Sequence, residues 1–207
     1  LFESDRPEAY ERVYRELLPR LAAADLAAAA RDLGLETAGG RAVVPCLGRR
    51  LEVGPQGVAE EGGPAPLNHR IVAAYYLLHG GRGENAGRFV PYRELPGGQD
   101  FARSLSGLVE DRLARSFSGR QAELEAAARS LGGRPAPEAA SGDAVFRFQA
   151  LPGVPLVIGF YDADPEFPAE AKLLYDLTAP NFLDLECLAV LGLLLVQELE
   201  AAAGKAS

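Results

Sequence analysis

Three short stretches carry side chains that chemistry could use. Asp162-Ala163-Asp164-Pro165-Glu166 sets three carboxylates at alternate positions, and hard cations such as Ca²⁺ or Mg²⁺ take oxygen ligands of this kind. The twelve-residue calcium-loop pattern is not met, because Phe167 stands where that loop needs Gly and Leu173 where it needs Glu. Asp162, Asp164 and Glu166 are therefore weak metal candidates, and a solvated acidic turn ahead of Pro168 is the simpler reading. The second stretch is Tyr92-Arg93-Glu94-Leu95-Pro96-Gly97-Gly98. A planar guanidinium at Arg93 could clamp a carboxylate or phosphate. Gly97 and Gly98 would let a ligand approach backbone N–H groups, and a helix starting near Asp100 would add a favourable dipole. The nucleotide-loop ending Gly-Lys-Ser/Thr is missing, and Asp100 would repel an anion. A strand-to-helix turn with an Arg93–Glu94 surface pair is the competing reading.

The third is the histidine pair, His69 and His79. Ten residues along one helix is a net rotation of about 280°, so the two do not share a face and cannot form a two-His metal site unaided. His79 falls near a helix C-terminus, where the dipole favours its cationic form. It would act as a general acid or an anion contact, or simply cap the helix. Asp176 follows Tyr175 at an expected strand end and either serves a pocket or forms a turn before Pro180. No Gly-x-Ser-x-Gly elbow occurs. Cys187 lies in an apolar helix and Cys46 in an apparent strand, positions where thiols are normally inert core. The candidate ligand-binding residues are thus Tyr92, Arg93, Glu94, Gly97, Gly98, His79 and Asp176, with catalytic residues unassigned.

The elements that must position them read as follows. Asp5 to Leu18 forms a helix with Tyr10, Val13, Tyr14, Leu17 and Leu18 on one face, Asp5 and Glu8 as a capping pair, and Pro19 ending or kinking it. Asp25 caps a second helix that stops at Gly34. Residues 41–60 form a hairpin about Gly48, with a short third strand at Val58-Ala59. Pro45 cannot donate to a ladder, so its strand is an edge or ends there. Asn68 caps a buried helix running to His79, and Phe89 to Leu95 is extended. Asp100 opens a further helix with Phe101, Leu105, Leu108, Leu113 and Phe117 as its stripe. Gln121 to Leu131 is helical, and Arg134 to Gly142 is linker. Val145 to Gln149 and Leu156 to Ile158 form a hairpin about Pro152-Gly153, and Lys172 to Leu177 is another strand. Asp184 caps a last helix to about Leu199 that is apolar all round, hence central or at a subunit interface.

Helices and antiparallel hairpins alternating in blocks imply an α+β fold. We expect one domain over 1–207: a helical N-terminal part (5–34), a hairpin (41–60), a helical middle (66–132), and a hairpin plus C-terminal helix (143–200). The chain has 207 residues, 48% hydrophobic and 24% charged, with formal net charge -8. This is an ordinary globular composition, not a disordered or collagen-like one. Acidic residues outnumber basic ones 29 to 21, which argues against a nucleic-acid partner. Nearly all the base is Arg; Lys172 and Lys205 are the two lysines. Two isolated cysteines and no CxxC mean that no Fe–S cluster or zinc site is expected from this chain's own cysteines. The charged start argues against a leader, and the longest apolar run, Cys187 to Val196, is short of the roughly 20 residues a membrane helix needs. A cytoplasmic protein with no membrane contact is the expectation.

Several segments, taken together in order, resemble a known family. They are Pro66-Leu67-Asn68 opening a helix that ends Tyr75-Tyr76-Leu77-Leu78-His79, then Phe89 to Gly98, then Phe146 to Leu156, and Tyr175-Asp176 through Leu188 to Gly192. This pattern resembles the bacterial and archaeal domain-of-unknown-function family numbered 3786, with Arg93-Glu94-Leu95-Pro96-Gly97-Gly98 as its most specific part. The resemblance runs from the first helix to the last. It implies no activity. It does imply a domain found largely in anaerobes and sometimes fused to a cysteine-rich Fe–S domain, and so a link by analogy to redox or corrinoid metabolism. Three readings follow: an accessory module that binds a small anionic ligand or a protein partner; an enzyme using His79, Arg93 and a carboxylate such as Asp162 or Asp176; and an interaction protein that forms a homo-oligomer through its C-terminal helix.

Overall fold

The computed structural model describes residues 7–99 and 105–205. Asp5, Asp100 and Phe101, expected to cap or open helices, lie outside them. Helix α1 spans Pro7–Ala23. It runs through Pro19, so of the two expected effects of that proline the helix does not end there. Tyr14, Leu17 and Leu21 form its buried face, which continues past the proline and holds the last turn against the core. Helix α2 (Leu26–Asp32) begins as expected, with Asp25 accepting from the Ala28 N–H at 2.9 Å.

The first sheet is a meander of β1 (Glu36–Ala38), β2 (Arg41–Cys46), β3 (Arg49–Gly54) and β4 (Gly57–Glu60), all antiparallel in sequence order. Strand β1 was not foreseen, and it makes β2 internal rather than an edge. Pro45 is tolerated because β1 reaches only Val43; beyond it, one side of β2 has no strand. The β2–β3 turn is Leu47-Gly48, both with positive φ (48° and 81°), the geometry that matches the twist of a two-residue hairpin. Leu47 accepts that uncommon conformation because its side chain is buried and its N–H donates to Ala150 O at 3.0 Å, tying the two sheets together.

Helix α3 (Leu67–His79) lies against α1, α2 and this sheet. Its N-cap residue is Pro66, with no side-chain cap bond, so Asn68 sits inside the helix and does not cap it. Gly80 ends the helix in the left-handed conformation, as its position implied.

The second sheet has the order β5-β9-β8-β7-β6: β5 (Phe89–Pro91), β6 (Arg134–Pro135), β7 (Ala144–Leu151), β8 (Val154–Tyr161) and β9 (Glu170–Asp176). Extension stops at Pro91, and Tyr92–Glu94 forms a 3-10 turn. The expected linker contributes the two-residue edge strand β6. Phe146 and Phe148 alternate into the core as the sequence implied.

A π-helical turn, Ser106–Glu110, leads directly into α4 (Asp111–Phe117). Its Asp111 N–H bonds to Ser106 O. The wider turn shifts the buried stripe from Leu108, which is 40% exposed, to Val109, which is fully buried. Helix α5 is Gln121–Ser130 and α6 is Leu185–Lys205. Asp184 caps α6 through the Cys187 N–H at 2.8 Å. Residues Leu185–Gly204 are long and apolar enough by composition to cross a membrane, and 61% of that stretch is buried inside the fold. Leu188, Leu191 and Leu195 are buried on one side and Val190 and Leu194 on the other. Gly192 lets α6 approach β9: a Cβ there would stand 2.5 Å from the Tyr175 hydroxyl. Among the described residues six helices and two antiparallel sheets make an α+β fold.

Candidate functional site

The turn that carries Arg93 is pinned from behind. Tyr92 is buried; its hydroxyl donates to Leu185 O at 2.7 Å and its ring meets Tyr175 edge-on, centroids 5.6 Å apart. Burial, then the nearby Asp184 and Glu186 carboxylates, push its phenol well above the ordinary value, so it anchors rather than donates protons. Two tight turns follow, Leu95 N to Tyr92 O and Gly98 N to Leu95 O. The Gly98 N–H is thus already bonded. The glycine is required because a Cβ would overlap the Tyr92 carbonyl oxygen. Gly97 has φ of +81° and backs onto Leu185. Arg93 and Glu94 are exposed.

Arg93 borders two hollows. The outer one, about 620 Å³, is lined by Arg93, Glu94, Leu95, Pro96, Gly97 and Gln99. The inner one, about 320 Å³, is lined by Arg93, Ser106, Glu110 and Lys172 as its polar groups and by Pro91, Tyr92, Leu105 and Leu173 as its apolar ones. It lies where β5, β9 and the π-helical turn meet. Glu110 is fixed there: its Oε1 accepts from the Leu173 N–H at 3.1 Å and its Oε2 from the Ser106 hydroxyl at 2.9 Å. Ser106 and Glu110 are the first and last residues of the π turn, a kind of turn frequent at functional sites. Among the described residues Arg93 and Lys172 make no ion pair.

The other expected residues lie elsewhere. His79 is exposed at the end of α3. Asp176 is fully buried and accepts from the Ala86, Gly87 and Thr178 N–H groups (3.0, 2.8 and 2.9 Å) and from the Thr178 hydroxyl (2.6 Å). Burial alone would raise its pKa, and these bonds outweigh that and lower it. Asp176 thereby holds the 86–87 loop beside β9. Asp162 accepts from the Gly119 N–H at 2.6 Å, and Asp164 accepts from the Glu166 and Phe167 N–H groups. The acidic stretch is therefore a hydrogen-bonded turn, and no cluster of three or more metal-ligating side chains occurs among the described residues. None of His79, Asp162 and Asp176 lines either hollow beside Arg93.

A second charged cluster was missed by sequence reasoning. Arg49 of β3 donates from Nε to Glu198 of α6 at 2.9 Å and from a terminal nitrogen to Glu60 of β4 at 3.1 Å. His69 of α3, only 3% exposed, brings Nε2 to 3.3 Å from Glu198 Oε1, off the line of a good hydrogen bond. His69 first, and then Arg49, hold the Glu198 carboxyl down at about 2 against the opposing effect of burial. Cys46 beside them is fully buried, and burial pushes its thiol up to about 12, so it is an inert neighbour. Cys46 and Cys187 are both free thiols. Glu198 interrupting an apolar helix was the one available signal; its partners lie 149 positions away at Arg49 and on another helix at His69. A hollow of about 480 Å³ outside this sheet is bordered by Arg49 and Arg50. Arg50 is paired with Glu36, so neither guanidinium is free.

A family model, the domain of unknown function numbered 3786, matches residues 25–198 of the chain. The chain belongs to that family. The matched stretch contains the Arg93 hollow and the Arg49–Glu198 cluster, and leaves α1 outside. Comparison with curated proteins and with solved structures finds no match.

Proposed function

We propose that this domain is a binding module for a small anionic molecule, held in the hollow between β5, β9 and the π-helical turn. One observation carries the reading: Arg93 and Lys172 stand at one partly apolar hollow of about 320 Å³ with no ion-pair partner among the described residues, whereas Arg49 and Arg50 beside the comparable hollow are both paired. A guanidinium can take a carboxylate or phosphate through two parallel bonds, and an ammonium adds a point charge. Tyr92, Leu105 and Leu173 would exclude water from the back of the ligand, which strengthens both contacts. The test is calorimetric titration of the full chain with inorganic phosphate, acetate and short dicarboxylates, repeated on Arg93→Ala/Lys172→Ala. Saturable binding that weakens about tenfold or more in the double variant is expected. No binding by any probe, or binding indifferent to both substitutions, refutes the reading.

A further inference from the structure

We infer that the ligand of this hollow is an amino dicarboxylate, with Glu110 reading its ammonium group. The inference rests on the anion-binding reading above and adds the ligand's chemical class. Among the described residues three charged side chains border the hollow: the Arg93 guanidinium, the Lys172 ammonium and the Glu110 carboxylate. Two cations alone would suit any anion. The carboxylate beside them is what discriminates.

Glu110 is not neutralised by either cation. Among the described residues its hydrogen bonds come from neutral donors, the Ser106 hydroxyl and the Leu173 N–H. They fix the carboxylate in place without cancelling its charge. An ionised carboxylate offers about four acceptor sites, so about half its capacity remains for a ligand donor. Phosphate or a plain dicarboxylate would meet repulsion at that wall. A ligand with a protonated amine would meet a charge-assisted hydrogen bond instead.

The charges then match group by group. One ligand carboxylate goes to Arg93, a second to Lys172, and the ammonium to Glu110. Such a ligand carries one net negative charge, opposite to the summed charge of Arg93, Lys172 and Glu110. Its methylene carbons would lie against Tyr92 and Leu173. A volume of about 320 Å³ is at the small end of ligand sites, in keeping with a compact amino acid.

Two matched pairs of probes test this on the full chain by calorimetry: glutamate against glutarate, and aspartate against succinate. Each pair differs by the amine. The amino member of at least one pair should bind about tenfold or more tightly than its partner. In Glu110→Gln, which keeps an oxygen for the Leu173 N–H, that preference should vanish, with weaker binding of the amino member and equal or tighter binding of its plain partner. The wild-type comparison stands without the variant, should the latter unfold. Equal or tighter binding of glutarate and succinate overturns the amine assignment and leaves the anion reading standing. Failure of all four overturns it too, and phosphate or acetate binding then decides whether the anion reading survives.

Discussion

Each sheet carries an arginine beside acidic side chains, and the two are partnered differently. On the first sheet Arg49 bonds Glu60 and Glu198 while His69 closes on Glu198 from α3, so the polar groups complete one another across four elements. On the second, Arg93 and Lys172 share a hollow with a carboxylate that is held by neutral donors. The first arrangement leaves little unsatisfied charge to attract a ligand and acts to hold β3, β4, α3 and α6 together. The second contributes little to holding the chain and leaves charge facing a hollow. Charged residues in a domain of this size are informative about binding when their partners are missing, not when they are numerous.

The contrast can be broken by removing the keystone of the first cluster. Glu198→Ala removes the carboxylate that buried His69 faces and leaves Arg49 with one carboxylate instead of two. It should cost about 3 kcal/mol in denaturant unfolding; a loss below about 0.5 kcal/mol would show that the cluster holds nothing. Acid should act on the same group. Glu198 is depressed from 4.5 to about 2, so its contribution is present in full above pH 4.5 and is lost as pH falls through about 2. Partial exposure of Arg49 limits that contribution to at most about 3 kcal/mol. Unfolding profiles of wild type and Glu198→Gln should therefore converge toward pH 2, separate as pH rises to 4.5, and stay a constant distance apart above it.

A smaller effect should come from the packing of α6 on the second sheet. Gly192→Ala forces a methyl against Tyr175 and Leu173 and should lower stability by about 1–3 kcal/mol, with a lower melting temperature as its signature. The smallest effect sharpens the contrast most. Arg93→Ala/Lys172→Ala should change stability by no more than about 0.5 kcal/mol, since neither side chain has an ion-pair partner among the described residues. A large stability loss there would place both side chains in the scaffold.

Much of the fold was legible because its signals are local. The Asp25 and Asp184 caps, the turns at Leu47-Gly48 and Pro152-Gly153, and the alternation of Phe146 with Phe148 need no distant information. What escaped the sequence depends on tertiary partners. Helix α1 passes Pro19 because Leu21 is buried beyond it. Strand β1, three residues long, exists through its pairing with β2. The π turn exchanges Leu108 for Val109 in the core, an irregularity that a regular helical period cannot encode. At the candidate site, Arg93 was visible as a guanidinium in a glycine-rich turn, though an Arg93–Glu94 surface pair was the competing reading. Lys172 stood out only by the scarcity of lysine. Glu110 joins them through a hydrogen bond across 63 residues to Leu173, a link that spacing does not reveal.

Titrating the full chain with short anionic acids, wild type against Arg93→Ala/Lys172→Ala, tests the central claim most directly. The account predicts saturable binding to the wild type, at least about tenfold weaker in a double variant that melts at nearly the same temperature. Equal affinity in both proteins, or no binding to either, would contradict it.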